Sequence, residues 1–272
     1  MTQDPKSYGV KEATELASDF DRHREEIVIK GFTVVPNVIE ESQLDEARKR
    51  IDAVYATQAS EMGGEDALKK INDALVARCL LVYDEYFLAF ATNAKIHQVV
   101  GSLLGDYFTL LQQNAVINAP TGKHFQSAWH RDMAYQHFVS SRPLSLSALY
   151  CIDDFSELTG GTFLLPASHR NESFPSREFV AAHETTVTAK AGSALVFDAM
   201  AYHRGGFNRS NGLRRGVNHV FGLPFLQQQI SFPKSLGGRY NDDPFLRRLL
   251  GYDTEPAASV LHWRRARLQP LS

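Results

Sequence analysis

Cysteine is scarce in this sequence, and long apolar runs are absent. Cys79 and Cys151 are the only two cysteines among 272 residues, which excludes a disulfide framework and a metal site built from cysteine thiolates. No apolar run approaches the length of a transmembrane helix, and residues 1–5 show no basic region followed by an apolar one. We therefore expect a cytoplasmic protein without a membrane-spanning segment.

A surplus of positive charge is also missing. The 29 Lys and Arg residues are balanced by 31 Asp and Glu residues, so the formal net charge is −2. Because no positive field surrounds the chain, neither nucleic acid nor an anionic membrane surface is an expected partner. The expected partner is a small-molecule substrate, and the sequence leaves both a monomer and a homodimer open.

Apolar residues at helical spacing dominate the first part of the chain. Hydrophobic residues make up 43% of the sequence, which at this length suits a single domain over residues 1–272. Within it we predict a helical N-terminal part over 1–105 that contains one early strand. The predicted elements are helices over 11–29, 41–55 and, in pieces, 66–104, with a strand over 32–36.

The pattern changes after Gly105, where short apolar runs rich in β-branched residues alternate with turn residues. Short strands at regular intervals indicate a closed or double-sheet β architecture. The predicted fold is therefore mainly β with flanking helices, around a double-stranded β-helix (a cupin-like jelly roll) over 106–225, followed by a helical extension over 226–272. The predicted strands are 107–118, 126–132, 144–152, 162–165, 184–189, 193–198 and 214–223.

His130 and Asp132 are the first candidate site residues. Two residues that lie two positions apart on an extended segment point to the same side, so one imidazole and one carboxylate can converge there. They form two thirds of the 2-His-1-carboxylate triad that holds non-heme Fe(II). Taken alone, the pair could equally be a surface pair or a hydrogen-bonded core histidine.

A third ligand and a cation follow downstream. His203 comes just after an apolar strand, and Arg214 begins the next strand after a turn. A guanidinium pairs with a carboxylate through two parallel hydrogen bonds, which suits the distal carboxylate of a 2-oxo acid bound to the metal. The rival candidates are His183 and His219 for the histidine, and Arg215 for the arginine.

These residues fall into a longer pattern. His203, Gly206, Asn208, Ser210 and Arg214 meet the run His-x-x-Gly-x-Asn-x-Ser-x-x-x-Arg. The segment 160–169, Gly-Gly-Thr-Phe-Leu-Leu-Pro-Ala-Ser-His, resembles a second motif, Gly-x-x-x-x-x-Pro-Gly-Ser-His. That motif has glycine where this chain has Ala167. The motifs over about 25–225 resemble the phytanoyl-CoA dioxygenase family of Fe(II)/2-oxoglutarate oxygenases. This resemblance implies Fe(II) as the metal of His130, Asp132 and His203, 2-oxoglutarate anchored by Arg214, and O₂.

Within that family, the segment 113–132 is most similar to ectoine hydroxylase. Gln113, Gly122, Lys123, Phe125 and Trp129 match it in register. The likeness implies that Gln113 and Ser145 also bind 2-oxoglutarate. Ser127 replaces an expected aromatic residue and Gly205 an expected serine, so a substrate other than ectoine is expected.

The predicted activity is hydroxylation of an unactivated C–H bond in a small polar molecule, with release of succinate and CO₂. Two alternatives stay open: a cupin-like metalloenzyme that does not use 2-oxoglutarate, and a binding protein on the same fold without catalysis. Four arginines in the loops and the tail point to an anionic or polar substrate: Arg142, Arg170, Arg177 and Arg239.

Overall fold

The computed structural model describes residues 16–120 and 125–268. Its strands are β1 (Phe32–Val35), β2 (Val76–Arg78), β3 (Thr109–Asn118), β4 (Ser145–Cys151), β5 (Thr162–Leu164), β6 (Thr185–Val187), β7 (Ala194–Asp198), β8 (His203–Gly205) and β9 (Arg214–Gly222). Its helices are α1 (Asp19–Lys30), α2 (Glu41–Glu61), α3 (Glu65–Lys70), α4 (Leu80–Tyr83), α5 (Leu88–Ala91), α6 (Ala94–Leu104), α7 (Arg177–His183), α8 (Phe232–Leu236), α9 (Pro244–Leu249) and α10 (Val260–Ala266).

The strands form two antiparallel sheets. The larger sheet has the order β1-β7-β4-β9-β3-β2, and the smaller has the order β6-β5-β8. Apart from β2 and β3, neighbours in the larger sheet are not consecutive in the chain, as is typical of a jelly roll. An isolated bridge between His130 and His203 extends the smaller sheet beyond β8. The predicted fold class, a jelly roll with flanking helices, is confirmed.

The larger sheet separates two apolar layers. On one face, alternate residues such as Val196 and Val217 belong to the main buried cluster, which also contains Ile27, Ile51 and Leu249 from the helices. On the other face, Leu195 and Phe197 pack against Leu164 and Val187 of the smaller sheet. The main cluster draws on all three predicted segments of the chain. The grouping of 1–272 into one domain stays a prediction.

Two predicted helix ends are set by glycine. Gly31 ends α1 with φ +93°, and a Cβ atom there would lie 2.7 Å from Nδ1 of His169. Gly105 ends α6 with φ +86°. Because both positions have positive φ, glycine avoids a steric cost there that other residues bear. Residues 11–15 of the predicted first helix lie outside the described residues.

Two predicted elements are wrong. Residues 66–104 are not helical throughout, because β2 interrupts them and pairs with β3. Residues 126–132 are not a strand: Phe125–Ser127 form a 3₁₀ turn, and His130 alone bridges to His203. Both errors have the same cause, since a pairing with a partner distant in the chain leaves no periodicity in a segment of only a few residues. The structure also makes His203 the first residue of β8, a strand that the sequence did not indicate.

No helix among the described residues is long and apolar enough to cross a membrane.

Ala167 occupies a position that favours glycine. It has φ +60° and ψ +5°, in the left-handed region, at the turn that leads into Ser168–Arg170. Its N–H donates to the carbonyl of Lys30 at 2.7 Å, so the turn is fixed against the end of α1. A Cβ atom in this conformation costs roughly 1–2 kcal/mol.

We predict that Ala167→Gly raises the free energy of unfolding by about 1 kcal/mol, because glycine removes this steric cost. Urea unfolding measures the change. Ala56→Gly, on the exposed side of α2, is the matched control and is expected to lower stability by about 1 kcal/mol. Equal losses in the two variants would contradict the prediction.

Candidate active site

Three side chains from two separate segments meet at the open end of the smaller sheet. The backbones of His130 and His203 exchange two hydrogen bonds, of 3.0 and 3.1 Å, which places the two residues opposite each other. Asp132 follows two residues later, and its N–H donates to the carbonyl of Ala199 at 3.0 Å. The candidate ligand atoms of His130, Asp132 and His203 all lie within 4.8 Å of one another. The structure therefore brings together the three predicted metal ligands.

The two imidazoles are oriented by backbone carbonyls. Nδ1 of His130 lies 2.8 Å from the carbonyl of Ala128, and Nδ1 of His203 lies 3.0 Å from that of Ala201. A carbonyl only accepts, so each Nδ1 carries the proton and each Nε2 presents its lone pair. Both Nε2 atoms face Oδ1 of Asp132, at 3.9 Å from His130 and 3.4 Å from His203.

The carboxylate of Asp132 is held through its other oxygen. Oδ2 accepts a hydrogen bond from Oγ of Ser147 at 2.6 Å and another from Nδ2 of Asn218 at 3.0 Å. This leaves Oδ1 free to face the imidazoles. Partners of this kind fix the direction of a ligating group and raise metal affinity.

The charges of the three groups suit cation binding. Burial acts to raise the pKa of Asp132, but the two neighbouring imidazoles outweigh it and lower that pKa. Burial and the charge of His203 lower the pKa of His130. Burial acts to lower the pKa of His203, whereas Asp132 raises it, and the net shift is upward. The site thus holds a persistent carboxylate, which a divalent cation can share with both histidines.

A tight turn positions the carbonyls behind the site. After β7, Oδ1 of Asp198 accepts from the N–H of Met200 at 2.9 Å, and its carbonyl accepts from the N–H of Ala201 at 2.8 Å. The turn thereby presents the carbonyls of Ala199 and Ala201 to Asp132 and His203. Burial raises the pKa of Asp198 to about 6.

Arg131 lies between two of the ligands but points away from them. Its guanidinium donates to the carbonyls of Gln136 at 2.5 Å and Ser168 at 3.2 Å, and also to that of Asn171. It stacks 3.9 Å from the ring centre of Tyr202. The alternation that directs His130 and Asp132 inward directs Arg131 outward, where it ties their segment to the loop after β5. No motif in the sequence indicates this role.

Arg214 reaches the same site from β9 and has no counter-ion among the residues that the structure describes. Its side chain is buried, stacks 4.2 Å from the ring centre of Phe155, and forms no ion pair within the described residues. Its Nε atom also has no hydrogen-bond partner there, and burial lowers its pKa to about 10. A cavity of about 40 Å³ joins Arg214 to all three candidate ligands. A buried, unpaired guanidinium is costly by itself and fits an anionic ligand.

The sequence of this chain matches known proteins over most of its length. The profile of the phytanoyl-CoA dioxygenase family matches residues 29–216. The chain belongs to this family. A protein of Mycobacterium tuberculosis is 30% identical over 225 residues, which cover 81% of each chain. The enzyme class and the cofactors predicted from the sequence, Fe(II), 2-oxoglutarate and O₂, are confirmed by this membership together with the His-Asp-His site.

Solved structures share the fold. EctD from S. alaskensis with 2-oxoglutarate and 5-hydroxyectoine has a TM-score of 0.62 and 19% identity, covering 80% of this chain and 79% of that chain. The epimerase SnoN in complex with Fe³⁺, alpha ketoglutarate and nogalamycin RO has a TM-score of 0.61 and 17% identity, covering 82% and 92%. Gly122 and Lys123, which matched ectoine hydroxylase in the sequence, lie outside the described residues.

The rival residues lie apart from this dioxygenase site. Arg215 points to the other face of β9, where it pairs with Asp52 and Asp153. His219 shares that face and packs 4.9 Å from the ring centre of Tyr150. His183, at the end of α7, packs against Phe179 with ring centres 4.3 Å apart. Strand alternation therefore favours Arg214 over Arg215 and excludes His219 from the cavity.

The two further 2-oxoglutarate contacts predicted from the likeness to ectoine hydroxylase lie elsewhere in the structure. Gln113 is on the helix side of β3, where its amide bonds the N–H of Leu81, the carbonyl of Phe87 and Nε2 of His219. Ser145 shares the cavity face of β4, but its Oγ lies 2.8 Å from Sδ of Met133. Neither residue lines the cavity that holds Arg214, and their co-substrate roles stay predictions.

Asn218 and Thr162 were not indicated by the sequence. Asn218 holds the carboxylate of Asp132 together with Ser147, and Thr162 lines the cavity beside Arg214. Asn218 could have been found by alternation, since it lies four residues after Arg214 on one strand and so shares its face. Thr162 could not, because its neighbour across the sheet, Gly205, is 43 residues away in the chain.

We predict that Ser147→Ala weakens the binding of Fe(II), or of Mn(II) as its substitute, by about 10- to 100-fold, because Asp132 loses a hydrogen bond that fixes it. Mn(II) titration followed by electron paramagnetic resonance measures this without turnover. Ser145→Ala is the matched control on the same face of β4, and its metal affinity is expected to equal that of the wild type. Equal effects of both substitutions would contradict the prediction.

We also predict a pH-dependent gain in stability for Asp198→Asn. The raised pKa means that Asp198 contributes most to stability below its unfolded pKa near 4, and that this contribution is lost as the pH rises through 6. The variant should therefore match the wild type near pH 4 and exceed it by up to about 3 kcal/mol at pH 8. Urea unfolding at several pH values tests this, with Asp106→Asn on the surface as the control. A gain that does not change with pH would contradict it.

Proposed function

We propose that this dioxygenase hydroxylates an unactivated C–H bond of a small polar molecule, coupled to the conversion of 2-oxoglutarate to succinate and CO₂. One observation supports this most directly: a buried guanidinium, with no ion-pair partner in the described parts of the chain, shares a cavity with two imidazoles and a carboxylate. A metal centre alone does not offset the cost of burying the charge of Arg214. An anionic co-substrate bound between the metal and Arg214 would pair with that charge.

In this proposal His130, Asp132 and His203 hold Fe(II). The donor set, two neutral nitrogens and one carboxylate oxygen, is that of the facial triad, which leaves positions open for further ligands. The backbone carbonyls of Ala128 and Ala201 keep each Nε2 directed inward, and Ser147 with Asn218 keeps Oδ1 there. The residues present thus fit the metal without any rearrangement of their hydrogen bonds.

Arg214 binds the distal carboxylate of 2-oxoglutarate. Its planar guanidinium can donate two parallel hydrogen bonds, and its burial excludes the water that would weaken them. Phe155 covers one face of the guanidinium and fixes its plane. Thr162, which lines the same cavity, offers a hydroxyl close to Gly205, where the resemblance led us to expect a serine.

The substrate approaches from the opposite side. A second, wider cavity of about 690 Å³ borders His130 and Asp132 but neither His203 nor Arg214. The protein thereby keeps the co-substrate and the substrate in separate chambers that meet at the metal. When bound, the iron with 2-oxoglutarate and O₂ supplies the oxidising chemistry, while the chain orients the reactants and excludes water.

Formation of succinate tests the proposal. Purified protein with Fe(II), 2-oxoglutarate and O₂ should release succinate, and a screen of small polar metabolites should raise that rate. Asp132→Ala should abolish it, since the metal loses its only carboxylate. Undiminished turnover in this variant would overturn the proposal. A cupin-like enzyme without an oxo acid predicts instead that anaerobic addition of 2-oxoglutarate gives no visible charge-transfer band.

We predict that Arg214→Lys raises KM for 2-oxoglutarate by about 10- to 100-fold, because an ammonium cannot pair with the carboxylate through two parallel hydrogen bonds. Steady-state succinate formation measures KM, and metal titration confirms that the site still binds Mn(II). Arg215→Lys is the matched control on the other face of β9 and should leave KM unchanged. A similar rise in both variants would contradict the anchoring role of Arg214.

A further inference from the structure

The size and lining of the wider cavity limit which substrates can bind. Its volume of about 690 Å³ is in the range that accommodates drug-sized ligands. It opens directly onto His130 and Asp132, so a molecule bound there faces the metal site. The nature of its walls therefore limits what the dioxygenase can accept.

The walls of this cavity carry almost no free charge. Within the described residues, only Arg78, Arg131 and the ligand Asp132 among its lining residues have charged side chains. Arg78 is paired with Asp73, to which it donates two hydrogen bonds. Arg131 has no ion pair among the described residues and its buried Nε has no hydrogen-bond partner there, but both of its Nη atoms donate to backbone carbonyls, which direct the guanidinium away from the cavity. A charged substrate would therefore be buried without a counter-ion.

Most of the polar side chains in the cavity wall are uncharged amides. Six glutamines line the cavity: Gln112, Gln126, Gln136, Gln227, Gln228 and Gln229. The amide of Gln228 is engaged by the backbone of Leu110, Leu250 and Phe232 and is not counted among the substrate contacts. An amide both donates and accepts hydrogen bonds, so it matches hydroxyl, carbonyl and amide groups alike. Buried polar groups of a substrate that find such partners do not pay the cost of lost hydration.

Two of these glutamines, Gln112 and Gln229, form a row with Asn114, which lies behind the wall, and the row reaches the metal site. Nη1 of Arg78 donates to Oε1 of Gln229 at 3.3 Å, and the amide of Asn114 lies 3.1 Å from that of Gln229 and 3.2 Å from that of Gln112. Nε2 of Gln112 donates to the carbonyl of Asp132 at 3.4 Å. The row is held at both ends, which fixes the directions of its hydrogen-bonding groups.

The remaining wall is apolar. It is formed by Leu111, Met133, Tyr135, Val220 and Leu226. Apolar walls with a few fixed polar groups are typical of sites that bind a carbon framework in one orientation.

On the basis of the proposed function, we propose that the substrate is a neutral molecule in which several hydroxyl, carbonyl or amide groups are carried on an apolar carbon framework. The paired Arg78 and the row of amides from Gln229 to Gln112 select it. An anion is disfavoured because Asp73 neutralises Arg78, and a cation is disfavoured because no free carboxylate among the described residues lines the wall. The loop and tail arginines that suggested an anion lie elsewhere: Arg170 and Arg239, for example, donate to backbone carbonyls.

A matched panel of compounds tests this proposal. Each set consists of a polyhydroxylated cyclic compound of drug size, the carboxylate obtained by oxidising one hydroxyl group, and the amine that replaces it. Binding is read from changes in the charge-transfer band of the anaerobic Fe(II)–2-oxoglutarate protein. We expect neutral members to bind at least tenfold more tightly than their charged counterparts. Equal or tighter binding of the carboxylates or the amines, or no binding of any neutral member, would overturn the proposal.

The rise in unfolding temperature caused by the same compounds gives a second reading. It needs neither iron nor 2-oxoglutarate, so the charge preference of the cavity is measured even if the band does not form. A missing band would contradict the proposed function alone, whereas a preference for charged compounds with the band present would contradict only this inference.

Asp73→Asn changes the charge of the wall without changing its shape. It frees the cation of Arg78, and we expect carboxylate members to bind about tenfold more tightly than to the wild type while neutral members are unaffected. Asp66→Asn, which removes an exposed carboxylate paired with Lys69 outside the cavity, is the matched control and should change neither. Unchanged affinity for carboxylates in Asp73→Asn would overturn the role assigned to the pair.

Gln229→Leu tests the row independently of charge. It keeps the approximate size of the side chain but removes its amide, so neutral members should bind about tenfold more weakly. The same change in Gln98, which is exposed on α6, is the control. Because 2-oxoglutarate binds in the other chamber, its affinity should stay the same in both variants. Unweakened binding of neutral members to Gln229→Leu would contradict the selection by amides.

Discussion

The site depends on the placement of one buried carboxylate between two imidazoles. Asp132 keeps its charge in a poorly hydrated position only because His130 and His203 face one oxygen, and Ser147 and Asn218 donate to the other. An isolated buried carboxylate would be strongly disfavoured. Every element that contributes to this arrangement is thereby restrained: β4 and β9 through Ser147 and Asn218, and β8 through the backbone bridge to His130.

The two cavities at the metal site differ in whether the arginine in their wall has an ion-pair partner. On one side, Arg214 is buried and forms no ion pair within residues 16–120 and 125–268, which suits a dianionic co-substrate. On the other side, Arg78 is neutralised by Asp73 and amides form the polar part of the wall. A cavity that leaves a cation unpaired attracts an anion, whereas one that pairs its cation does not. In the proposed arrangement, the anionic co-substrate and a neutral substrate occupy these two cavities.

Strand alternation explains most of what could be predicted. It placed Arg214 inside and Arg215 outside, and it put His219 on the helix side of β9. It failed where a strand is very short. Residues 126–132 form only one bridge, β8 has three residues, and β2 is flanked by Leu75 and Cys79 in left-handed conformations. Such segments are extended because they pair with neighbouring strands. Their own residues show little of the alternation that predicts a strand.

The sequence by itself determined the jelly roll through local periodicity, and the phytanoyl-CoA dioxygenase family through the resemblance of motifs along the chain. The same motifs singled out His130, Asp132 and His203 as the candidate metal ligands. Only the tertiary structure decided what surrounds them. The hydrogen bonds to Asp132, the enclosure of Arg131, the place of Gln113 and the pairing of Arg78 with the amide row join residues whose positions in the chain carry no mutual signal. These contacts follow from which strands become neighbours, and a sheet brings distant segments together through backbone hydrogen bonds that no single segment specifies.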